Sequence, residues 1–311
     1  MMSAMTNHQF DVLLFDDSYY CDLIFTGLPG MPDLGTEIFA SRFEIIPGGA
    51  FNLALAFTRL GVKTGWPCQF GNDLFSRFVL ERSLQEGLDQ SLFCEHDFPI
   101  PRVTVSLSQP QDRAFVTFND PFHSYPPHDL ILKTRPQWMV EGGLRYGAVH
   151  LAAAAAAREV GARVFMDSDS NSATLHDSEV ESAIAAVDVF APNEKEALSL
   201  TGENTLEDAL ARLSTLAPLV IVKRGCNGVL ARQGESVISL PAFPVDVVDT
   251  TGAGDCFNAG FVYGMLHHYD LKTCLQCGNI SGALSTAGHG ASAAPSALKL
   301  ETWLNQMPGT R

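Results

Sequence analysis

The chain has 311 residues, with 35 Asp and Glu against 20 Lys and Arg, a formal net charge of −15 at pH 7. That balance argues against nucleic acid as the main partner, because phosphate binding over a large surface needs excess Lys and Arg. It argues equally against a polybasic membrane-surface mode, but leaves room for a small phosphorylated ligand at one local site. Hydrophobic residues are 46% and charged residues 18%, as in an ordinary globular chain whose core needs no staples. Residues 1–10 show no basic stretch followed by an apolar one, so no signal peptide is expected. No run approaches the roughly 18 apolar residues of a spanning helix. The seven cysteines are scattered and odd in number, which reads as reduced thiols in a cytoplasmic protein. Cys274 and Cys277 have CxxC spacing. They lack a second ligand pair nearby and read as helix residues, not zinc ligands.

In chain order, Asp11–Phe15 reads as a short buried strand. Asp22–Phe25 and Glu37–Ile46 read as strands around a Gly/Pro-rich turn. Pro47-Gly-Gly-Ala-Phe-Asn52 leads into an apolar helix stopped by Gly61. A strand ends at Phe70–Gly71, and Asp73–Gly87 is an amphipathic helix. Arg102–Leu107 and Ala114–Phe118 form a hairpin. Strands then alternate with helices: strand Trp138–Glu141, helix Tyr146–Val160, strand Arg163–Met166, helix Ser178–Val187, strand Val189–Ala191. Helices Asn193–Thr201 and Leu206–Leu216 follow, then strand Leu219–Lys223 and a hairpin of Gly228–Arg232 with Ser236–Leu240. The loop Val248–Gly252 opens a helix over Ala253–His268, and helical material continues to Leu304. Alternation of this kind predicts a mostly parallel sheet with helices on both faces. The β-only stretches 20–46 and 100–119 break it and predict a small inserted sheet.

The densest chemical signal is Asp249-Thr-Thr-Gly-Ala-Gly-Asp255. Gly252, Ala253 and Gly254 stand at a helix start, where nearly bare backbone N–H groups and the positive dipole end make an anion site. Asp255 would be costly there if anion binding were the only purpose. It makes sense facing a hydroxyl beside a phosphoryl group, as the acceptor of the hydroxyl proton.

This string closely resembles the signature of the ribokinase-like (PfkB) carbohydrate kinase family. Pro47-Gly48-Gly49-Ala-Phe-Asn52, Gly71-Asn-Asp73, Asn193-Glu-Lys-Glu196 and Val222-Lys-Arg-Gly225-Cys-Asn-Gly228 resemble its other motifs, in order and spacing. The resemblance implies an α/β fold: a ribokinase-like three-layer αβα sandwich, one kinase domain over 1–311, with 20–46 and 100–119 as a lid. It implies ATP-dependent phosphorylation of a primary hydroxyl on a small sugar, with Asp255 as base and Gly252, Ala253 and Gly254 as anion hole. Asp22, Gly48, Gly49 and Asn52 would hold the sugar. Asn193, Glu196, Lys223, Gly225, Asn279 and Gly290 would lie by the nucleotide. Glu196 would hold Mg2+ through water, and Asp249 would lie near a monovalent cation such as K+. Homodimerisation through the lid is a further expectation.

Read by themselves, Asn193 and Glu196 also form a helix capping box, and Lys223 is also a strand-end charge. His150 reads as a packed or surface residue of an alanine-rich helix. Three departures from the family pattern stand out. No Gly occupies the end of the first strand near Asp17, and Pro47 replaces a first Gly. Asp167-Ser-Asp169-Ser-Asn171 replaces Asp-x-Asn-x-Arg, and loss of that Arg disfavours acidic or phosphorylated acceptors. Phe51, Tyr19, Tyr20, Phe118 and Phe122 are candidate pocket rings, which keeps a nucleoside acceptor open. A non-catalytic binder on the same fold is the alternative from another class. Neither a P-loop nor a dinucleotide-binding glycine fingerprint is present.

Overall fold

The computed structural model describes residues 8–16, 18–109, 113–122, 127–169, 172–288 and 290–307. Asp17 and Asn171, named above, and residues 110–112 between the two hairpin strands lie outside them. Eight strands form the main sheet: β1 (Val12–Leu14), β4 (Thr64–Gly65), β9 (Trp138–Glu141), β10 (Arg163–Asp167), β11 (Val189–Ala191), β12 (Leu219–Lys223), β13 (Val229–Gln233) and β14 (Ser236–Leu240). Their spatial order is β14-β13-β12-β11-β10-β9-β1-β4. Pairing is parallel from β4 to β12 and antiparallel across the β12–β13–β14 meander.

Strand alternation sends neighbouring side chains into two separate cores. On β9, Trp138 and Val140 enter one core while Met139 enters the other. Val12 and Leu14 on β1 likewise oppose Leu13. The first core is closed by α1 (Ala50–Arg59), α8 (Ala253–Leu266) and α9 (Leu271–Ser285), through Phe57, Phe261 and Ile280. The second is closed by α4 (Ala148–Val160), α5 (Ser178–Ala185), α6 (Glu194–Thr201) and α7 (Leu206–Leu213), through Ala156, Val180, Ala197 and Leu210. The result is a three-layer αβα sandwich. His150 lies within it, fully buried, between the Glu141 carboxylate at 2.8 Å and Ala183 O at 3.2 Å.

A second sheet has the order β3-β2-β7-β8, from β2 (Tyr19–Thr26), β3 (Arg42–Gly49), β7 (Arg102–Ser108) and β8 (Arg113–Asn119). It draws on both β-only stretches. β3 starts later than the Glu37 expected from alternation and runs on through Pro47-Gly48-Gly49, because Tyr19, Tyr20 and Cys21 pair with those residues. Pro47 is tolerated there because β3 is an edge strand. A third pair, β5 (Gln69–Phe70) with β6 (Cys94–Glu95), completes the strands, and α10 (Ala297–Leu304) the C-terminal helices. The helix α3 (Pro127–Thr134) has no counterpart in the sequence reading, since its apolar residues Leu130, Ile131 and Leu132 are consecutive and show no helical spacing.

Asp73 ties the second sheet to the body. It caps α2 (Leu74–Gln85) by accepting from Phe75 N and Ser76 N at 3.0 Å. Its other oxygen accepts from Ser76 Oγ at 2.6 Å and from Ile100 N at 2.9 Å. Tyr19 Oη is hydrogen-bonded to Ser76 Oγ at 2.5 Å and lies 3.2 Å from Ile100 O. The roots of β2 and β7 are therefore pinned to one helix N-terminus. Asp73→Ala is expected to cost about 1–2 kcal/mol from loss of the cap. The check is the urea midpoint at unchanged slope; an unshifted midpoint would refute the anchor.

Candidate active site

Parallel α/β sheets bind ligands beyond the carboxyl ends of their strands. Here the ends of β1, β9, β10 and β12 converge on two cavities. The first, of about 700 Å³, is lined from the body by Asp16, Gly142, Arg145, Asp169 and Asp255 and from the small sheet by Tyr20, Gly49 and Asn119. The second, of about 770 Å³, is lined by Asp167, Asn193, Glu196, Lys223, Gly225 and the first turn of α8, with an apolar wall including Phe243 and Val245. Gly142 and Asp255 line both.

The junction is built by the start of α8. Gly252 is the N-cap with φ +74°, and an added Cβ would stand 3.3 Å from Ala291 N and from the Asn52 side chain. Only glycine meets that backbone without strain. Of the three backbone positions expected to form an anion hole, one N–H is already engaged. Ala253 N donates to Thr250 O at 3.2 Å, so its N–H is spent on the turn. The N–H groups of Gly252, Gly254 and Asp255 have no partner among the described residues.

Burial pushes the Asp255 carboxyl up to about 7, with the Asp167 carboxylate adding to it and Lys223 opposing. The Asn52 amide donates to the same carboxylate, while Asn52 Oδ1 is buried with no partner among the described residues. Lys223 is not a loose strand-end charge. Its ammonium lies 2.6 Å from both oxygens of Asp167 and 3.4 Å from Asn258 Oδ1, and Asn258 Nδ2 donates back to Asp167.

The remaining expected residues divide. Asn193 and Glu196 form the capping box, each N–H to side-chain oxygen distance being 2.9 Å, and both also line the second cavity. Burial raises the Glu196 carboxyl, although its bond from Asn193 N opposes this. Gly225 and Asn279 line that cavity too, and Asn279 Nδ2 donates to Pro241 O at 3.0 Å, which holds the apolar wall to α9. Gly290 takes no part in the described lining. Its N–H donates to Asp249 Oδ2 at 3.0 Å, and Asp249 Oδ1 accepts from Thr251 N and Oγ1. Those bonds join two loops at the edge of the site.

Gly49 lines the first cavity, whereas Asp22 and Gly48 stack against each other just beyond the described lining: a Cβ on Gly48 would collide with the Asp22 carboxylate. Burial pushes Asp22 up to about 7, opposed by a hydrogen bond from Thr104. Of the five candidate rings, Tyr20 alone is among the described lining residues. Tyr19 and Phe51 are core residues, Phe122 packs on His96 and Phe98, and Phe118 is exposed on the other face of the small sheet. Sequence reasoning missed Asp16, Arg145, Asp169, Asp167 and Asn258 as site residues. Asp167 and Asp169 carried a visible signal in the Asp-Ser-Asp run at a strand end, while Arg145 carried none.

The structural chemistry agrees with similarity to known proteins. Residues 33–297 match the family model described as pfkB family carbohydrate kinase. The chain is 28% identical over 272 residues to a ribokinase of Lactococcus lactis, covering 84% of this chain and 86% of that protein. It is 30% identical over 270 residues to a fructokinase of Klebsiella pneumoniae, covering 80% and 88%. Its fold is similar, at a TM-score of 0.80 and 21% identity, to an Arabidopsis thaliana ribokinase solved with ribose and ATP, over 95% of this chain and 98% of that one.

A buried carboxyl that titrates near 7 instead of 3.8 makes the fold less stable as pH rises, because the folded state holds the proton longer. The loss develops between pH 3.8 and about 7 and is complete above that. Asp255→Asn is therefore expected to melt higher than wild type at pH 8, with the advantage gone below about pH 4. A variant melting at or below the wild-type temperature at pH 8 would contradict the charge burial.

Proposed function

Because the chain belongs to the pfkB family of carbohydrate kinases, we propose that its two cavities hold a sugar and ATP and that Asp255 joins them. The enzyme transfers the γ-phosphoryl group of ATP to a sugar hydroxyl, and we assign that hydroxyl as a primary one. The carrying observation is that Asp255 lines both cavities. A hydroxyl beside it loses its proton to the carboxylate as its oxygen attacks phosphorus, the bond to the ADP oxygen breaks, and ADP leaves. The N–H groups of Gly252, Gly254 and Asp255 face the charge that gathers on the transferring group. A group that titrates near 7 is also matched to base duty at neutral pH.

Asp22, Gly48, Gly49 and Asn52 are assigned to the sugar side, with the small sheet as a lid that excludes water. Asn193, Glu196, Lys223, Gly225 and Asn279 are assigned to the nucleotide side. Magnesium fits the second cavity: its Glu196 and Asp167 carboxylates are oxygen donors, and burial already disfavours the charge on Glu196. Glu196 would hold the ion through water, and the bound metal supplies neutralisation of phosphate charge. Potassium near Asp249 would reinforce the loop closure that its bonds to Thr251 and Gly290 already make. The free thiols of all seven cysteines suit the reducing cytoplasm.

Sugar-dependent ADP release tests this reading. Asp255→Asn is expected to lose at least about 10³-fold in turnover while binding ATP normally, as befits an essential base. Chelator is expected to stop the wild type, and potassium to accelerate it over sodium. Near-normal turnover by the variant would refute the base. Rates indifferent to chelator or potassium would remove the corresponding ion.

The other face of the small sheet gives its expected partner. Ile45, Leu23, Val105 and Val116 lie side by side across the four strands, with Phe43 and Phe118 at the edges. Phe43, Ile45, Val116 and Phe118 are 42–69% exposed. A second copy of this uncharged face is the matching cover, since a two-fold interface pairs one patch with itself. Sedimentation is expected to give twice the chain mass of 33.6 kDa, and Val116→Glu to give single chains; a monomeric wild type would refute the dimer.

A further inference from the structure

The sugar cavity carries a charge pattern that the Asp255 chemistry does not need. Arg145 is the one cation among its described lining residues, against the carboxylates of Asp16, Asp169 and Asp255. Arg145 comes from the loop after β9 and bridges two other strand ends. Its Nη2 lies 3.0 Å from Asp16 Oδ2, after β1, and its Nη1 lies 3.7 Å from Asp169 Oδ2, after β10. Behind it, Glu141 is fully buried against His150. The guanidinium is thus flanked by carboxylates, with part of its five-donor fork already committed.

We propose that the Asp16–Arg145–Asp169 clamp is the specificity device of the sugar site, and that it restricts the acceptor to uncharged polyols. The proposal rests on the kinase reading and extends it to acceptor charge. A hydroxyl suits such a clamp because it can accept from Arg145 and donate to Asp16 or Asp169 at once. A carboxylate or phosphate only accepts. It would have to compete with Asp16 and Asp169 for the guanidinium and would leave like charges juxtaposed in a partly desolvated cavity, which disfavours it. Holding an anion would need an arginine without such neighbours, so its presence in the cavity does not by itself imply an acidic acceptor.

The test compares D-ribose, D-fructose and D-glucitol with D-ribonate, fructose 6-phosphate and D-gluconate, by ADP release and by calorimetric binding with a non-hydrolysable ATP analogue. A neutral member is expected to be preferred by at least about 100-fold in kcat/KM and in affinity. Arg145→Met should raise KM for that sugar by about tenfold or more with a smaller change in kcat, the pattern of lost binding. Asp169→Asn should shift the neutral-to-anionic ratio towards the anions by about tenfold. An anionic member bound more tightly by the wild type, no neutral member bound, or an unmoved ratio in Asp169→Asn would overturn the clamp. Neutral-selective binding without ADP release would support the clamp while refuting the kinase reading, so the two fail separately.

Discussion

The Asp167 carboxylate holds the site in register. It ends β10, takes the Lys223 ammonium from β12 in both oxygens, and takes the Asn258 amide from the second turn of α8. Asn258 stands three residues after Asp255, nearly one helical turn. The contact therefore fixes the height and rotation of the turn that carries the anion hole over the sheet. Both partners of the ion pair are largely buried, at 14% and 7% side-chain exposure. Such a pair adds little net stability, but removing one member strands the other charge at a cost of about 3–5 kcal/mol. The pair is better understood as a positioning device than as a source of stability. Lys223 therefore lines the second cavity with its charge already engaged by Asp167.

Most of the fold was legible because two local patterns carry it. Short continuous apolar strands such as Trp138–Glu141, buried on both faces, and amphipathic segments such as Leu206–Leu213 announce themselves in a single chain. The glycine string at Gly252 was legible because its backbone can be met by no other residue. Less visible was anything set by partners distant in sequence. β3 begins at Arg42 and continues into the glycines because β2 lies beside it, and nothing local to residues 37–49 says so. Arg145 becomes a site residue only when Asp16 and Asp169 arrive from two other strands. The Ala253 N–H turns to Thr250 O, a backbone contact that composition does not encode. Asn193 and Glu196 form the capping box and line the second cavity at once, because the cap sits at the strand end that opens onto it.

The acidity of the chain takes on a local meaning here. The described walls of the two cavities present carboxylates at Asp16, Asp167, Asp169, Glu196 and Asp255, and ammonium or guanidinium groups at Lys223 and Arg145, both tied to aspartates. A polyanionic ligand would meet such a place through backbone amides and a helix dipole rather than through free basic side chains.

One feature of the small sheet bears on how the chain reaches this state. β2 and β7 pair in parallel, Cys21 beside Val103, although roughly eighty residues separate them, and parallel neighbours so far apart form late. The β2–β3 hairpin leaves the ribosome well before its third strand exists, with one face wholly apolar. Until β7 arrives, that hairpin is an unpaired edge in search of any strand. The Tyr19–Ser76–Asp73 anchor can form before β7 is made, since all three residues precede it, and it holds the hairpin against α2 during the wait.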